Sequence, residues 1–409
     1  MVLLHKYLNA FSGLRKELWW LSLITLINRA GTMVIPFLSL YLTDARGFTL
    51  SDVGWVMTAF GFGSLAGSWA GGKLTDRFGY RPIMIWSLTI SGIMFILLQF
   101  VETFYMMCLG VFLIMMVADA FRPAMFVSLA AYSRPENRAR AISLIRLAMN
   151  LGWTLGPACG GLLITSLGYS GLFWVDGITC ILAVLVFIRL LRPKPTVSDG
   201  KHVPSSDAPK VSPYRDGPYL VFILAMTLIA FSFLQLFSTI PLFYRDVHML
   251  SEDQIGLLMA MNGFAIFLLE MPVIKYFENP RFSVYKILIA STLMLALSFL
   301  VLNLSSWFGV LIIGMFFITF GEILNFPFGN SMAVERAQRG KQGDYMGLYS
   351  MGFAVSHIFG HNAGMQLIDN YGFTVTWYVM TAVLIIAALT LVWMKRLIER
   401  EKAAVPASN

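Results

Sequence analysis

Residues 72–101 read GKLTDRFGYRPIMIWSLTISGIMFILLQFV, a short basic loop running straight into an apolar stretch that carries no charge after Arg81. A bilayer core about 30 Å thick needs roughly 20 apolar residues per helical crossing, and residues 81–101 supply one. The pattern of charged loop and apolar run recurs in both directions. Its spacing predicts twelve helical spans, at 18–43, 52–74, 81–101, 104–131, 139–166, 170–190, 217–244, 253–276, 284–303, 306–332, 342–367 and 372–394. Composition agrees: 57% of the 409 residues are hydrophobic and 13% are charged, against about 25% charged in an average soluble domain. The expected fold class is an all-α integral membrane protein, and a soluble enzyme is excluded.

The formal net charge is +8, but the basic residues do not gather on one contiguous face, so nucleic acid is not the partner implied; the lipid bilayer is. They cluster in alternate loops, with Lys73, Arg77 and Arg81 in one, Arg134, Arg138 and Arg140 in the next, then Lys275, Arg281 and Lys286, then Arg336, Arg339 and Lys341. The intervening loops hold only Arg46 and Arg245. The positive-inside rule makes the basic loops cytoplasmic and places both termini in the cytoplasm, as expected for a multi-pass protein of the cytoplasmic (inner) membrane. Cys108, Cys159 and Cys180 are odd in number and lie inside apolar stretches, which argues against a disulfide framework or a cysteine metal site. The first apolar segment continues past Arg29 and Pro36, so it reads as a retained span and not a removed signal peptide.

A polar stretch from Arg192 to Asp216, rich in Pro and Ser, separates the sixth span from the seventh and reads as a cytoplasmic linker. The expected domains are a six-helix bundle at 1–191, the linker at 192–216, and a second six-helix bundle at 217–409. An internal repeat supports the division. Ser51-Asp52-Val53-Gly54 resembles the Ser251–Gly256 stretch, Pro123 falls opposite Pro327, and Gly156, Gly160, Gly168 and Tyr169 match Gly360, Gly364, Gly372 and Phe373. Paired halves of this kind place a substrate site near the bilayer midplane and permit alternating access.

Two motifs carry a family resemblance. Gly72-Lys73-Leu74-Thr75-Asp76-Arg77-Phe78-Gly79-Tyr80-Arg81 resembles motif A of the major facilitator superfamily. Gly72 would permit close helix approach, Gly79 a turn, and Asp76 would accept hydrogen bonds from Arg side chains or a helix N-terminus. The resemblance implies that Asp76, Arg77 and Arg81 latch the cytoplasmic side. The matching stretch of the second half, Ile274–Pro280, lacks the pattern, so the latch is expected on one side only. The fifth span holds Gly152-Trp153-Thr154-Leu155-Gly156-Pro157-Ala158-Cys159-Gly160-Gly161, similar to motif C of the superfamily's exporters. Glycines four residues apart open a helix face to close packing, and Pro157 frees a backbone carbonyl. With Asn28-Arg29-Ala30-Gly31 ahead of Pro36, and Gly321-Glu322 ahead of Pro327, the whole chain resembles the twelve-span drug:proton antiporters. It departs from them around Asp119 and Arg122, where no glycine follows the arginine and motif B is only partly recognisable.

Charges inside spans are the remaining signal, because each costs at least about 2.5–3.5 kcal/mol at the bilayer centre and normally faces a cavity and a partner. Candidate proton-coupling groups are Glu322, Asp119, Glu270, His357 and His361; candidate cavity-lining groups are Asn28, Arg29, Arg122, Arg146, Asn150 and Asn325, with Gln235 and Asn262. Glu322 is preferred for the proton, since burial raises a carboxyl pKa and an approaching arginine or substrate lowers it again. Structural alternatives stand beside each: a fixed salt bridge for Glu322, an i, i+3 pair with Arg122 for Asp119, a bond to Lys275 for Glu270, snorkelling for Arg146, and interhelical hydrogen bonding for the histidines. Five histidines, three of them outside the spans, are too few for a di-iron cage, so neither a metal nor another cofactor is implied. The expected function is proton-coupled efflux of small amphipathic compounds or drugs, the partners being a small-molecule substrate and protons, with a monomer as the family-level expectation. Export of a defined metabolite (a dipeptide, amino acid or sugar) and facilitation without proton coupling are the alternatives.

Overall fold

The computed structural model describes residues 14–133, 138–191, 211–277, 279, 281–340 and 342–404. Among them there are helices and no strands. Ten stretches are long and apolar enough to cross a membrane, the last being the 57 residues Tyr345–Glu401. That stretch lies in a helix, Gln342–Ala404, which bends at Gly372 (φ 77°, ψ 175°) and provides two crossings. Adding Leu50–Phe78, which is rich in Gly and Ser, gives twelve. The others are Tyr80–Leu98 (third), Phe104–Asp119 with Phe121–Tyr132 (fourth), Arg138–Leu167 (fifth), Tyr169–Leu190 (sixth), Glu252–Phe277 (eighth), Val284–Leu302 (ninth) and Gly309–Ala337 (tenth).

The third span shows why lipid and not water surrounds these helices. Trp86, Ile90, Ile93 and Leu97 recur at helical spacing and are 46–57% exposed, while Met84, Leu88, Phe95 and Leu98 face inward. A helix apolar on both faces is soluble only where its outer face meets hydrocarbon.

Two spans expected as continuous are broken. The first runs as Lys16–Ala30, a gap at Gly31–Met33, then Val34–Leu40 and a π-helical turn at Tyr41–Ala45. Pro36 lies in the first turn of the second piece, where its missing N–H is not needed, so the break precedes it. The seventh runs as Gly217–Phe233, a 3-10 turn at Leu234–Phe237, then Thr239–Asp246, again with a proline, Pro241, in the first turn of the second piece.

The described chain forms two compact units. One comprises Met1–Phe48, Ala59–Lys201 and Leu250–Phe267; the other comprises Thr49–Thr58, His202–Met249 and Leu268–Asn409. In the first unit, the first span packs on the fifth and sixth, and the third on the fourth and sixth. The second unit repeats the scheme, with the seventh span against the long helix Gln342–Ala404 and the ninth against the tenth and that same helix. The repeat is visible in backbone detail as well. Gly168 and Gly372 both open a helix at positive φ, 72° and 77°, a conformation that any Cβ would strain. Thr49 and Asp52 form a reciprocal cap at the start of the second span, the Asp52 carboxylate accepting from Thr49 Oγ1 at 2.7 Å and the Asp52 N–H donating to Thr49 Oγ1 at 3.1 Å. In the matching stretch the Ser251 N–H donates to Gln254 Oε1 at 3.2 Å.

Small residues set the closest helix approaches. Gly63, Gly67 and Gly71 on the second span face the backbone of Phe112, Met116 and Ala120 on the fourth, where any side chain would overlap main-chain atoms. Gly72 was expected to serve this purpose and does not: nothing lies within 4 Å of where its Cβ would be. The helical turn carries it to the other face, and the work falls to its neighbour Gly71. Gly67→Leu is therefore expected to abolish the monodisperse peak of a fluorescent fusion in size-exclusion chromatography, and Gly72→Leu to leave it intact. Equal yields of the two variants would contradict this packing.

Candidate functional site

The site is built on the break in the first span. Opening a helix at Gly31–Met33 frees backbone N–H groups, and in a bilayer each unsatisfied group costs several kcal/mol. The Gly31, Thr32 and Met33 N–H groups turn back to the Ile27, Arg29 and Gly31 carbonyls, and Asp176 of the sixth span shares Met33 and takes Val34. Its Oδ1 accepts from the Met33 N–H at 2.8 Å and its Oδ2 from the Val34 N–H at 3.0 Å, and the residue is 1% exposed. Gly31 sits directly against Thr179, one turn on from Asp176, and Gly152 of the fifth span against Arg29. A Cβ on Gly156 would lie 3.3 Å from the Thr32 carbonyl oxygen, and one on Gly160 2.9 Å from the Phe37 ring. Motif C is thus the surface on which the broken span rests. Its other side, Pro157 and Gly161, meets Gly256 and Glu252 at the start of the eighth span.

Asp176 was missed in the sequence although the rule that flagged Asp119 and Glu322, a lone charge inside an apolar span, applies to it equally. It lines one cleft together with Asn28, Arg29, Asp119 and Arg122. Asp119 accepts from Ser64 Oγ and lies 3.6 Å from Arg122, with side chains 13% and 54% exposed respectively. That is the i, i+3 pair expected, loosely made. Arg29 is half-buried and lies close enough to Asp119 and Arg122 to feel both charges.

In the second unit the break in the seventh span is held by an amide. Gln235 Nε2 donates to the Gly360 carbonyl at 2.8 Å, and Gln235 Oε1 accepts from Thr239 Oγ1 at 3.0 Å. Asn325, named as a cavity residue, is fully buried and joins the tenth span to the ninth, donating to Ser291 Oγ at 3.0 Å and Thr292 Oγ1 at 3.1 Å. Glu322, Arg146 and Asn150 are half-buried, while Glu270 and Asn262 are 6% and 8% exposed. His357 and His361 share a face with ring centroids 5.6 Å apart. No cluster of three or more His, Cys, Asp or Glu side chains that could hold a metal occurs among the described residues.

At the basic loop, Gly79 has φ 81° and Arg77 lies over the Phe78 ring. Arg81 donates to the Leu191 carbonyl and stacks on Phe187, tying the start of the third span to the end of the sixth. The Asp76 side chain lies outside the described residues. The second unit has a tie that the sequence did not disclose. Asp216 caps the seventh span through the Tyr219 N–H at 3.2 Å and receives a fork from Arg336, Nε at 2.7 Å and Nη2 at 2.6 Å. The Tyr345 hydroxyl adds a bond at 2.9 Å, and Arg336 also reaches Glu401 at 2.9 Å. Burial raises the Asp216 pKa, but the Arg336 fork and the Tyr345 hydroxyl outweigh it and hold the carboxyl below its ordinary 3.8.

A model described as the Major Facilitator Superfamily matches residues 21–277 and 244–409. The chain belongs to the Major Facilitator Superfamily. It is a multi-pass membrane transporter of that superfamily and not an enzyme. Among its relatives are an uncharacterized MFS-type transporter, YqjV, of Bacillus subtilis, 26% identical over 87% of each chain, and a Na(+), Li(+), K(+)/H(+) antiporter of Planococcus maritimus, 21% identical over 92% of this chain and 95% of that one. The multidrug resistance protein MdtH of Yersinia enterocolitica is 22% identical over 88% and 90%. Solved structures share the fold: a POT family transporter in complex with a thioalcohol-conjugated peptide has a TM-score of 0.79 at 14% identity, over 94% of this chain and 96% of that one. The nucleoside transporter NupG has a TM-score of 0.72 at 14% identity, over 93% and 99%.

Removing one partner of a buried ion pair costs about 3–5 kcal/mol. Asp216→Ala is therefore expected to lower the thermal unfolding midpoint in detergent at neutral pH. The contribution of a carboxylate with a depressed pKa is complete above its ordinary value and is lost as pH falls through the lowered one. The gap between wild type and variant should accordingly close toward strong acid. An unchanged midpoint at neutral pH would contradict the tie.

Proposed function

We propose that this transporter exports small amphipathic compounds across the cytoplasmic membrane by proton antiport, with both termini in the cytoplasm and the repeat-related halves 1–191 and 217–409 rocking between two access states. The observation that carries the reading is the side-chain-free face of the fifth span from Gly152 to Gly161, which receives the broken first span on one side and the start of the eighth on the other. Such a seam lets three helices approach to backbone contact and seal one end of a path. An exporter needs that end sealed until substrate has loaded from the opposite side. Relatives named as a multidrug resistance protein and a cation/H(+) antiporter support export and proton coupling.

Glu322 is the carboxyl we assign to the proton. It is half-buried midway along the tenth span, where a charge is costly and a bound proton removes it. Exchange of proton for substrate there would convert a pH gradient into uphill export. In proteoliposomes with an imposed pH gradient, addition of a transported compound should move protons. Glu322→Gln should abolish that movement while substrate binding persists. Undiminished proton movement and uphill transport in the variant would remove Glu322 from the coupling role, and transport indifferent to the gradient in the wild type would make the protein a facilitator.

A further inference from the structure

The cleft of the first unit has its hydrogen-bonding capacity unequally spent. Asp176 uses one carboxylate oxygen on each of two backbone N–H groups. Asp119 accepts from Ser64 and from a distant Arg122 at 3.6 Å. The cations are the underused partners. Among the described residues Arg29 makes no hydrogen bond and no ion pair, and Arg122 makes only that long contact, with 54% of its side chain exposed. A guanidinium carries five N–H donors and no acceptor, so what the cleft lacks is an acceptor.

An apolar recess continues the cleft. Ile35, Phe95 and Met115 line both the polar end and a neighbouring pocket closed by Leu38, Leu98 and Val111. The recess has room for no more than a water-sized group, so an amphipathic molecule with its charged head at the two arginines would lay its apolar body against Ile35, Phe95 and Met115 and part the side chains of the recess. A cation at the same place would meet two guanidinium groups, and the carboxylates that could receive it are already bonded.

We propose that this site binds amphipathic organic anions, with the carboxylate of the ligand taken by Arg29 and Arg122 and its apolar body by the recess beside Phe95 and Met115. The inference rests on the transporter reading above for the cleft's being a substrate site, and it names the substrate class. At Arg122 the incoming carboxylate exchanges with Asp119, whose 3.6 Å contact is the weaker bond; planar two-point pairing with guanidinium favours the ligand. Arg29 and Arg122 are thus specificity-determining residues.

The test uses the full chain in lipid nanodiscs at neutral pH and three probes with one apolar body: 4-phenylbutyrate, its neutral amide, and 4-phenylbutylammonium, each competing with radiolabelled 4-phenylbutyrate. The acid should bind at least about tenfold more tightly than the amide, with the ammonium probe weakest, since one good charge-assisted pair amounts to about tenfold or more. Arg29→Gln should erase that preference by costing the acid far more than the amide, and Arg29→Lys should keep part of it. Arg122→Gln provides an independent second variant. The proposal is overturned if the ammonium probe binds as well as the acid. It is equally overturned if Arg29→Gln weakens acid and amide alike, or if none of the three binds to protein shown by thermal unfolding to be folded. Because binding is read without a gradient, loss of proton coupling leaves this result standing. Conversely, proton-driven export confined to cations would overturn the anion site and leave the exporter reading intact.

Discussion

Two hydrogen bonds, from the Met33 and Val34 N–H groups to the carboxylate of Asp176, are the constraint on which the first unit depends. A helix cannot stop in a membrane without satisfying the N–H groups it exposes. A buried carboxylate is the strongest acceptor available, and it accepts both at once. With the break secured, the two pieces of the first span can leave the straight path. The fifth span then supplies Gly152, Gly156 and Gly160 where a side chain would collide with the bent backbone, and Arg29, one turn before Met33, lines the cleft with Asp119 and Arg122.

The second unit meets the same topological problem with different chemistry. Its broken seventh span is held by Gln235, which bonds its own chain at Thr239 and the Gly360 carbonyl across the helix contact. Gly360 and Gly364 are the repeat mates of Gly156 and Gly160, so the small-residue face recurs, but the ionisable clamp does not: an amide neither gains nor loses a proton in the working range. Charge in this unit is concentrated instead at the Asp216, Arg336 and Glu401 cluster, where an acidic cap, the end of the tenth span and the end of the twelfth are joined.

Hydropathy made the spans and the basic loops legible, because a crossing needs about 20 apolar residues and loop charge follows topology. The glycine register of the fifth span was legible as well, since its spacing matches one helix face. The breaks were not. A window of span length averages over Gly31–Met33 and sees one continuous helix, and proline points only roughly to where a helix stops. The clamp was hidden because its partners lie 142 and 143 residues apart in the chain, and no local pattern connects them. The Asp216 fork was hidden for the same reason, with Arg336 reading as an ordinary topology residue. Gly72 was misassigned because motif spacing names residues but does not state which way each one faces.

The most direct measurement is amide hydrogen exchange of residues 31–36 in wild type and Asp176→Asn, in the same lipid or detergent. An asparagine keeps one acceptor oxygen where the carboxylate has two, and a hydrogen bond to a charged group is worth about 1.5–3 kcal/mol. Exchange at Met33 and Val34 should therefore accelerate roughly tenfold to a hundredfold, with the remainder of the first and sixth spans little changed. Equal protection in the two proteins would contradict the account, showing that the break is held by packing against Gly152 and Gly156 and not by the carboxylate.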